Sequence, residues 1–325
     1  MKQMKNINFY ATVLAATVLL CSCSKEDSAE SFAGGDPTSP ILPDAGVAAT
    51  VETKADLSGV VSGTTFPAST DKVFSVVGYK GTAAPTTDWS SPYIANIAVN
   101  SGASSALSFA TAQYYPANGD KVYFYAYSPV SGATYTAGTS STAPTVAWTI
   151  TGQQDIMAAQ VTDGIAKNPV LANQQQPAFA FTHLLKQVKF KVVKNASFEE
   201  NVKLTSLKII GAKTAATLSL STGAVTWGST TGDLTAYDDA TGQTITATAT
   251  ALGTNGSPVM FEPGASFTVQ AFAGGVQYAN ATVTLSGGTA GNSYEVTLTF
   301  KRNEIVPTAT ITDWTTVDGG IVDIK

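Results

Sequence analysis

The chain is poor in the residues that usually do chemistry. Its 325 residues include one His (His183), one Arg (Arg302) and two Cys, and both Cys (Cys21, Cys23) fall within the first 23 positions. A Cys/His dyad or a multi-His or Cys-rich metal site therefore cannot be assembled downstream, so thiol and zinc chemistry are excluded. An enzyme could work only through carboxylates, and no pair stands out. Positive charge is also scarce: Lys+Arg 18 against Asp+Glu 23 gives a formal charge of −5, which leaves no basic stripe for a nucleic-acid backbone. A sustained 3.6-residue apolar period is missing too, so helices should be minor. What the chain does have is 44% hydrophobic content with only 13% charged residues. That is enough for real cores in about two domains of roughly 150 residues each.

Residues 1–23 read MKQMKNINFYATVLAATVLLCSC, with Lys2 and Lys5 ahead of an apolar run from about Phe9 to Leu20. The run is too short to cross ~30 Å of hydrocarbon, so 1–22 reads as a signal peptide. Its end, Leu20-Cys21-Ser22-Cys23, resembles a bacterial lipobox, which makes Cys23 the acylated first residue of the mature chain. Two acyl chains, at ~0.8 kcal/mol per buried CH₂, hold a protein stably on a membrane. Ser24-Lys25-Glu26-Asp27 then resembles the signal that sends lipoproteins of Bacteroidota-type bacteria to the outer face of the outer membrane, or it is a solvated tether. Asp27-Ser28-Ala29 matches the short pattern that these bacteria O-glycosylate at the hydroxyl residue, here Ser28. With residues 1–22 removed, 16 basic residues face 23 acidic ones, a net −7.

Residues 23–46 carry Gly34-Gly35, Pro37, Pro40 and Pro43 among Ser and Asp, the composition of a flexible tether. Order should begin near Val47. Beyond it, short runs rich in Val, Thr, Ile, Tyr and Phe are broken every 8–12 residues by Gly, Pro, Asn or Asp, so the class is all-β. Residues 187–193 (QVKFKVV) put Val188, Phe190 and Val192 on one face. Residues 294–300 put Tyr294, Val296, Leu298 and Phe300 inward, whereas 121–127 (KVYFYAY) is apolar or aromatic on both faces and should be a central, doubly covered strand. The economical closure is two antiparallel sandwiches, 47–178 and 179–325, divided at the Pro/Gln-rich stretch Asn173 to Pro177.

Several stretches in order resemble the fimbrillin (Mfa-like) family of Bacteroidales pilus subunits and surface lipoproteins. They are Gln113 to Pro129 (QYYPANGDKVYFYAYSP), Asp155-Ile156-Met157-Ala158-Ala159, Phe181-Thr182-His183-Leu184-Leu185 and Ile311-Thr312-Asp313-Trp314. The resemblance implies two tandem transthyretin-like β-sandwich domains without enzymatic activity or cofactor. It also implies assembly in which a trypsin-like protease removes the N-terminal segment and a neighbouring subunit fills the vacated groove with a strand. That is β-augmentation, worth a gross ~5–12 kcal/mol per joint from three or four inward side chains. Lys54-Ala55, after a first strand from Val47 to Thr53, matches the cleavage position, although the family often has Arg there. Gly319-Gly320 followed by Ile321, Val322 and Ile324 could be a hinge and donor strand, or the last strand of the second domain. The partners implied are other pilus subunits, the protease, the outer membrane and a host or glycan ligand.

Other readings stay in view. His183 beside Leu184 and Leu185 reads as a hydrogen-bonded structural residue. Asp233, Asp238 and Asp239 could grip Ca²⁺ through oxygen, but their spacing matches no defined loop, so no metal site is expected. Asn118-Gly119-Asp120 reads as a tight turn. Tyr114, Tyr115, Tyr123, Tyr125 and Tyr127 with Trp89 could form a sugar-stacking platform, which would make the chain a glycan-binding surface lipoprotein; core packing explains them equally.

Overall fold

The computed structural model describes residues 35–47, 66–104, 106–196, 198, 201–253, 256, 258–301 and 304–313. In the first half run β1 (Gly35–Pro40), β2 (Asp44–Val47), β3 (Thr70–Gly81), β4 (Ile94–Ser101), β5 (Leu107–Phe109), β6 (Tyr114–Pro116), β7 (Lys121–Ser128), β8 (Thr134–Thr136), β9 (Thr145–Thr149), β10 (Met157–Ile165) and β11 (Ala178–His183). The second half holds β12 (Lys186–Lys194), β13 (Lys203–Lys213), β14 (Ala215–Ser219), β15 (Val225–Trp227), β16 (Thr231–Thr244), β17 (Thr250–Ala251), β18 (Val259–Phe261), β19 (Ser266–Ala273), β20 (Val276–Gln277), β21 (Ala281–Thr284), β22 (Asn292–Phe300) and β23 (Ile305–Asp313). One 3₁₀ turn, Leu171–Asn173, is the only helix among the described residues. The all-β class expected from the sequence is what the structure shows.

A seven-stranded sheet in the order β2-β11-β10-β7-β3-β4-β5 organises the first half. Its middle strand is β7, and the alternation of that strand explains the layering. Val122, Phe124 and Ala126 enter a core on one face, together with Phe74, Val76, Phe179 and Phe181. Tyr123, Tyr125 and Tyr127 enter a second core on the other face, closed by a four-stranded sheet in the order β15-β14-β9-β8. β7 is thus covered on both sides, as its sequence requires.

The third core lies in the second half, between a sheet in the order β17-β12-β22-β23, to which β18 adds, and another in the order β16-β13-β19-β20, to which β21 adds. Val188, Phe190 and Val192 of β12 and Tyr294, Val296, Leu298 and Phe300 of β22 point into it, in parallel register from Gln187↔Ser293 to Lys194↔Phe300. On the outer face Lys191 and Glu295 form a partly exposed ion pair of 2.7 Å, a contact of small net worth.

Sheet pairing crosses the sequence boundary drawn at 178/179. β11 straddles that boundary and pairs with β10, and the β14–β15 hairpin from the second half pairs with β9. Ala216 and Leu218 of that hairpin belong to the core that holds Tyr125 and Trp148. The Pro/Gln cluster punctuates the chain, but hydrophobic faces and not punctuation decide which sheet a strand joins.

Two buried polar groups mark the passage from β11 to β12. His183 Nδ1 lies 2.8–2.9 Å from the Asp155 carboxylate oxygens, with both side chains buried. Burial raises the Asp155 pKa while the His183 contact pulls it back. The structural role expected for His183 is the one this geometry supports. Three residues on, Lys186 is 1% exposed, donates to the Gly264 carbonyl at 2.9 Å and sits 4.2 Å over the Phe261 ring.

Candidate functional site: the seat of the N-terminal segment

The tether composition of residues 23–46 conceals two strands. Residues 35–40 form a two-stranded sheet with β6 and residues 44–47 the terminal strand of the seven-stranded sheet, so order there begins well before Val47. Pro37, Pro40 and Pro43 are compatible with this because a proline is tolerated where its missing N–H faces no partner, as on an edge strand. β1 runs antiparallel to β6, with Gly35 opposite Pro116 and Pro40 opposite Tyr114. The Ile41 N–H then donates to Gln113 O at 2.8 Å, and the Asp44 N–H to Pro177 O at 3.0 Å. From there β2 runs parallel to β11, with Asp44, Ala45, Gly46 and Val47 opposite Ala178, Phe179, Ala180 and Phe181.

The seat itself follows from the alternation of β11. Phe179, Phe181 and His183 are buried while Ala178, Ala180 and Thr182 are exposed. Phe179 and Phe181 pack on Phe74 with ring centres 5.5 and 5.1 Å apart, and Phe66 meets Phe181 edge-on at 5.2 Å. Tyr115 of β6 is fully buried and donates its hydroxyl to Gln175 O at 2.8 Å; burial pushes its pKa up. Ile41, 2% exposed, is the buried apolar side chain that the N-terminal segment contributes to this core, and half-buried Ala45 packs against it. β2 is the terminal strand of its sheet, so departure of residues 35–47 would leave both β11 and β6 with unpaired backbone groups and would uncover the apolar surface beneath Ile41.

Cys23, Ser28, Lys54, Ala55, Ile321, Val322 and Ile324 all lie outside the described residues. The first strand expected from Val47 to Thr53 is described only at Val47, the last residue of β2. What the structure brings together is the stretch upstream of Lys54 and the two edges that receive it. Sequence reasoning missed β1 and β2, because pairing with strands 70 to 140 residues away leaves no local signal.

The remaining candidates are placed elsewhere. Tyr115, Tyr123, Tyr125, Tyr127 and Trp89 are buried and Tyr114 is half-buried. Trp89 meets Tyr79 and Tyr125 edge-on inside the second core, so these rings present no stacking face to solvent. Asp233 and Asp238 line a shallow groove of about 430 Å³ with Thr151, Gln153 and Thr235. Asp239 instead accepts from Thr241 and Tyr237. Among the described residues no group of three His, Cys, Asp or Glu is placed to hold a metal ion. Asn118 and Asp120 bond to each other around Gly119, whose φ is +82°, the turn that the sequence implied.

The fimbrillin-like family model matches residues 60–314. The chain belongs to the fimbrillin-like family. A fimbrial protein from Bacteroides vulgatus superposes with a TM-score of 0.55 at 16% identity, covering 85% of this chain and 99% of that one. A candidate cell adhesion protein from Bacteroides uniformis gives 0.54 at 17% identity, covering 86% and 100%. At these identities the likeness is one of fold. Comparison with curated proteins found no match. This fimbrillin-like chain shares its overall fold with those structures.

Proposed function

We propose that this chain is a structural or accessory subunit of a cell-surface pilus, held on the outer membrane through acylated Cys23 and assembled by strand exchange after cleavage at Lys54-Ala55. The observation that carries the reading is the seating of residues 35–47. They lie upstream of the proposed cleavage position, cover the β11 edge of the seven-stranded sheet, pair with β6 as well, and are joined to the downstream chain through the segment that contains Lys54. Cutting there turns an integral strand into a removable one, and the exposed edges then favour a strand from a neighbour. Repeated head to tail, that contact makes a fibre. Ile321, Val322 and Ile324 are the proposed donor residues, family membership supports a surface role in adhesion, and no step calls for catalysis by this chain.

The test places one thiol on the seat and one on the donor, in a chain with Cys21→Ser and Cys23→Ser. Ala180→Cys lies on β11 opposite Gly46 and is exposed; Val322→Cys lies on the proposed donor. Under mild oxidation, trypsin-cut double variant should give a disulfide-linked ladder, while uncut chain and each single variant should not. A double variant that stays monomeric after cutting, or ladders equally well uncut, contradicts strand exchange.

A further inference from the structure

The Pro/Gln cluster has a use other than punctuation. Between β1 and β2 the N-terminal segment turns from one edge to the other, and over that turn its backbone has no strand beside it. Side chains of the 166–177 loop fill the gap. Gln176 Oε1 accepts the Leu42 N–H at 2.7 Å, and its Nε2 makes a long contact of 3.5 Å to Pro40 O. One amide group thus meets a donor and an acceptor of the same extended stretch, as a neighbouring strand would. Gln174 Oε1 accepts the Ser39 hydroxyl at 3.3 Å, and Ser39 is fully buried.

The loop is also braced by hydrogen bonds of its own. Gln174 Oε1 also accepts the Asn168 N–H at 2.7 Å, and Gln174 Nε2 donates to Ala166 O and Gln175 O at 3.2 and 2.8 Å. Asn168 closes the loop by donating to Asn173 O at 3.0 Å and accepting from Val170 N at 2.9 Å. Tyr115 ties it to β6 through Gln175 O. These bonds fix the loop backbone that carries Gln176, which lowers the cost of ordering it around the segment.

From this geometry we infer that the 166–177 loop is a latch: Gln176, positioned by Gln174 and Asn168, holds residues 39–44 on the body and sets how fast the N-terminal segment leaves. The inference rests on the strand-exchange reading for its purpose but not for its chemistry. Gln176 touches backbone atoms of Pro40 and Leu42, and the Leu42 side chain points to solvent at 55% exposure. The Gln176 amide therefore recognises an extended backbone, with Gln174 adding one side-chain contact to Ser39, and the same Gln176 amide can receive an incoming strand of a second copy.

Hydrogen exchange on the intact, uncut chain tests this without any need for cleavage. Gln176→Leu removes both contacts at similar volume and should speed exchange across residues 39–44 about tenfold, the scale of one to two net hydrogen bonds. Gln175→Leu alters the same loop at an exposed side chain whose carbonyl alone is used, and should leave that exchange unchanged. Equal exchange in Gln176→Leu and the unaltered chain overturns the latch, as does equal acceleration by both variants. If Gln176→Leu alone accelerates exchange but cut chain forms no ladder, the latch stands and the strand-exchange reading falls.

Discussion

Replacing Ile41 by Asp should unseat the whole N-terminal segment. The side chain is 2% exposed in the core that contains Tyr115, Phe179 and Phe181, and the effective penalty for an ion in such a place is several kcal/mol. To that is added the ~1.5–3 kcal/mol of Ile burial lost with the side chain, and only a few ladder hydrogen bonds worth about 1 kcal/mol each stand against it. The segment can escape to water without unfolding the rest, so it will leave. Hydrogen-exchange protection of residues 35–47 should then be lost while that of β7 and β22 persists. With its edges open and no cut made, the variant should also self-associate in a concentration-dependent way. Ile41→Val, which removes one methylene for about 1 kcal/mol, should keep the segment in place. Full protection in Ile41→Asp would mean that the segment is not a removable element.

Lys186 should impose a pH dependence on stability opposite to that of a surface lysine in an ion pair. Burial against Phe261 and Phe267 lowers its pKa to about 8 from an ordinary 10.5, with Glu262 pulling the other way. Between those values the unfolded chain binds the proton and the folded chain does not, so stability rises with pH across that window and is lost as pH falls through about 8. From pH 8 to 10 the gain is on the order of 2 kcal/mol. Above pH 10 the trend reverses, because burial raises the pKa of Tyr79, Tyr115, Tyr125 and Tyr127 and their protons favour the folded state. Lys186→Met, close in volume and uncharged, should flatten the rise between pH 8 and 10 in urea unfolding curves. An undiminished rise in that variant would assign the slope to another group.

The sequence was most readable where one strand carries its own pattern. KVYFYAY announced a strand covered on both sides, and β7 is the central strand between two cores. The alternations at 187–193 and 294–300 likewise point into one core. Connectivity between sheets was not readable in that way. Ala216 and Leu218 show that the β14–β15 hairpin wants a partner, but nothing local says that the partner is β9 of the other half. The seat was least legible of all. Pro37, Pro40, Pro43 and the Gln174-Gln175-Gln176 run have the composition of linkers, and they acquire meaning only when a buried Ile41 and an amide that bridges Pro40 and Leu42 bring them together. A segment held by distant edges and side chains needs no strong propensity of its own, and one that must also leave is better without it.

The most direct measurement is the N-terminus, by mass spectrometry, of this chain in material sheared from the surface of producing cells and separated by size. Ala55 at the N-terminus of subunits in a detergent-resistant ladder, with residues 35–47 absent, is the expected result. Acylated Cys23 on a monomer that retains residues 35–47 would contradict removal of the segment and, with it, assembly of this chain by strand exchange.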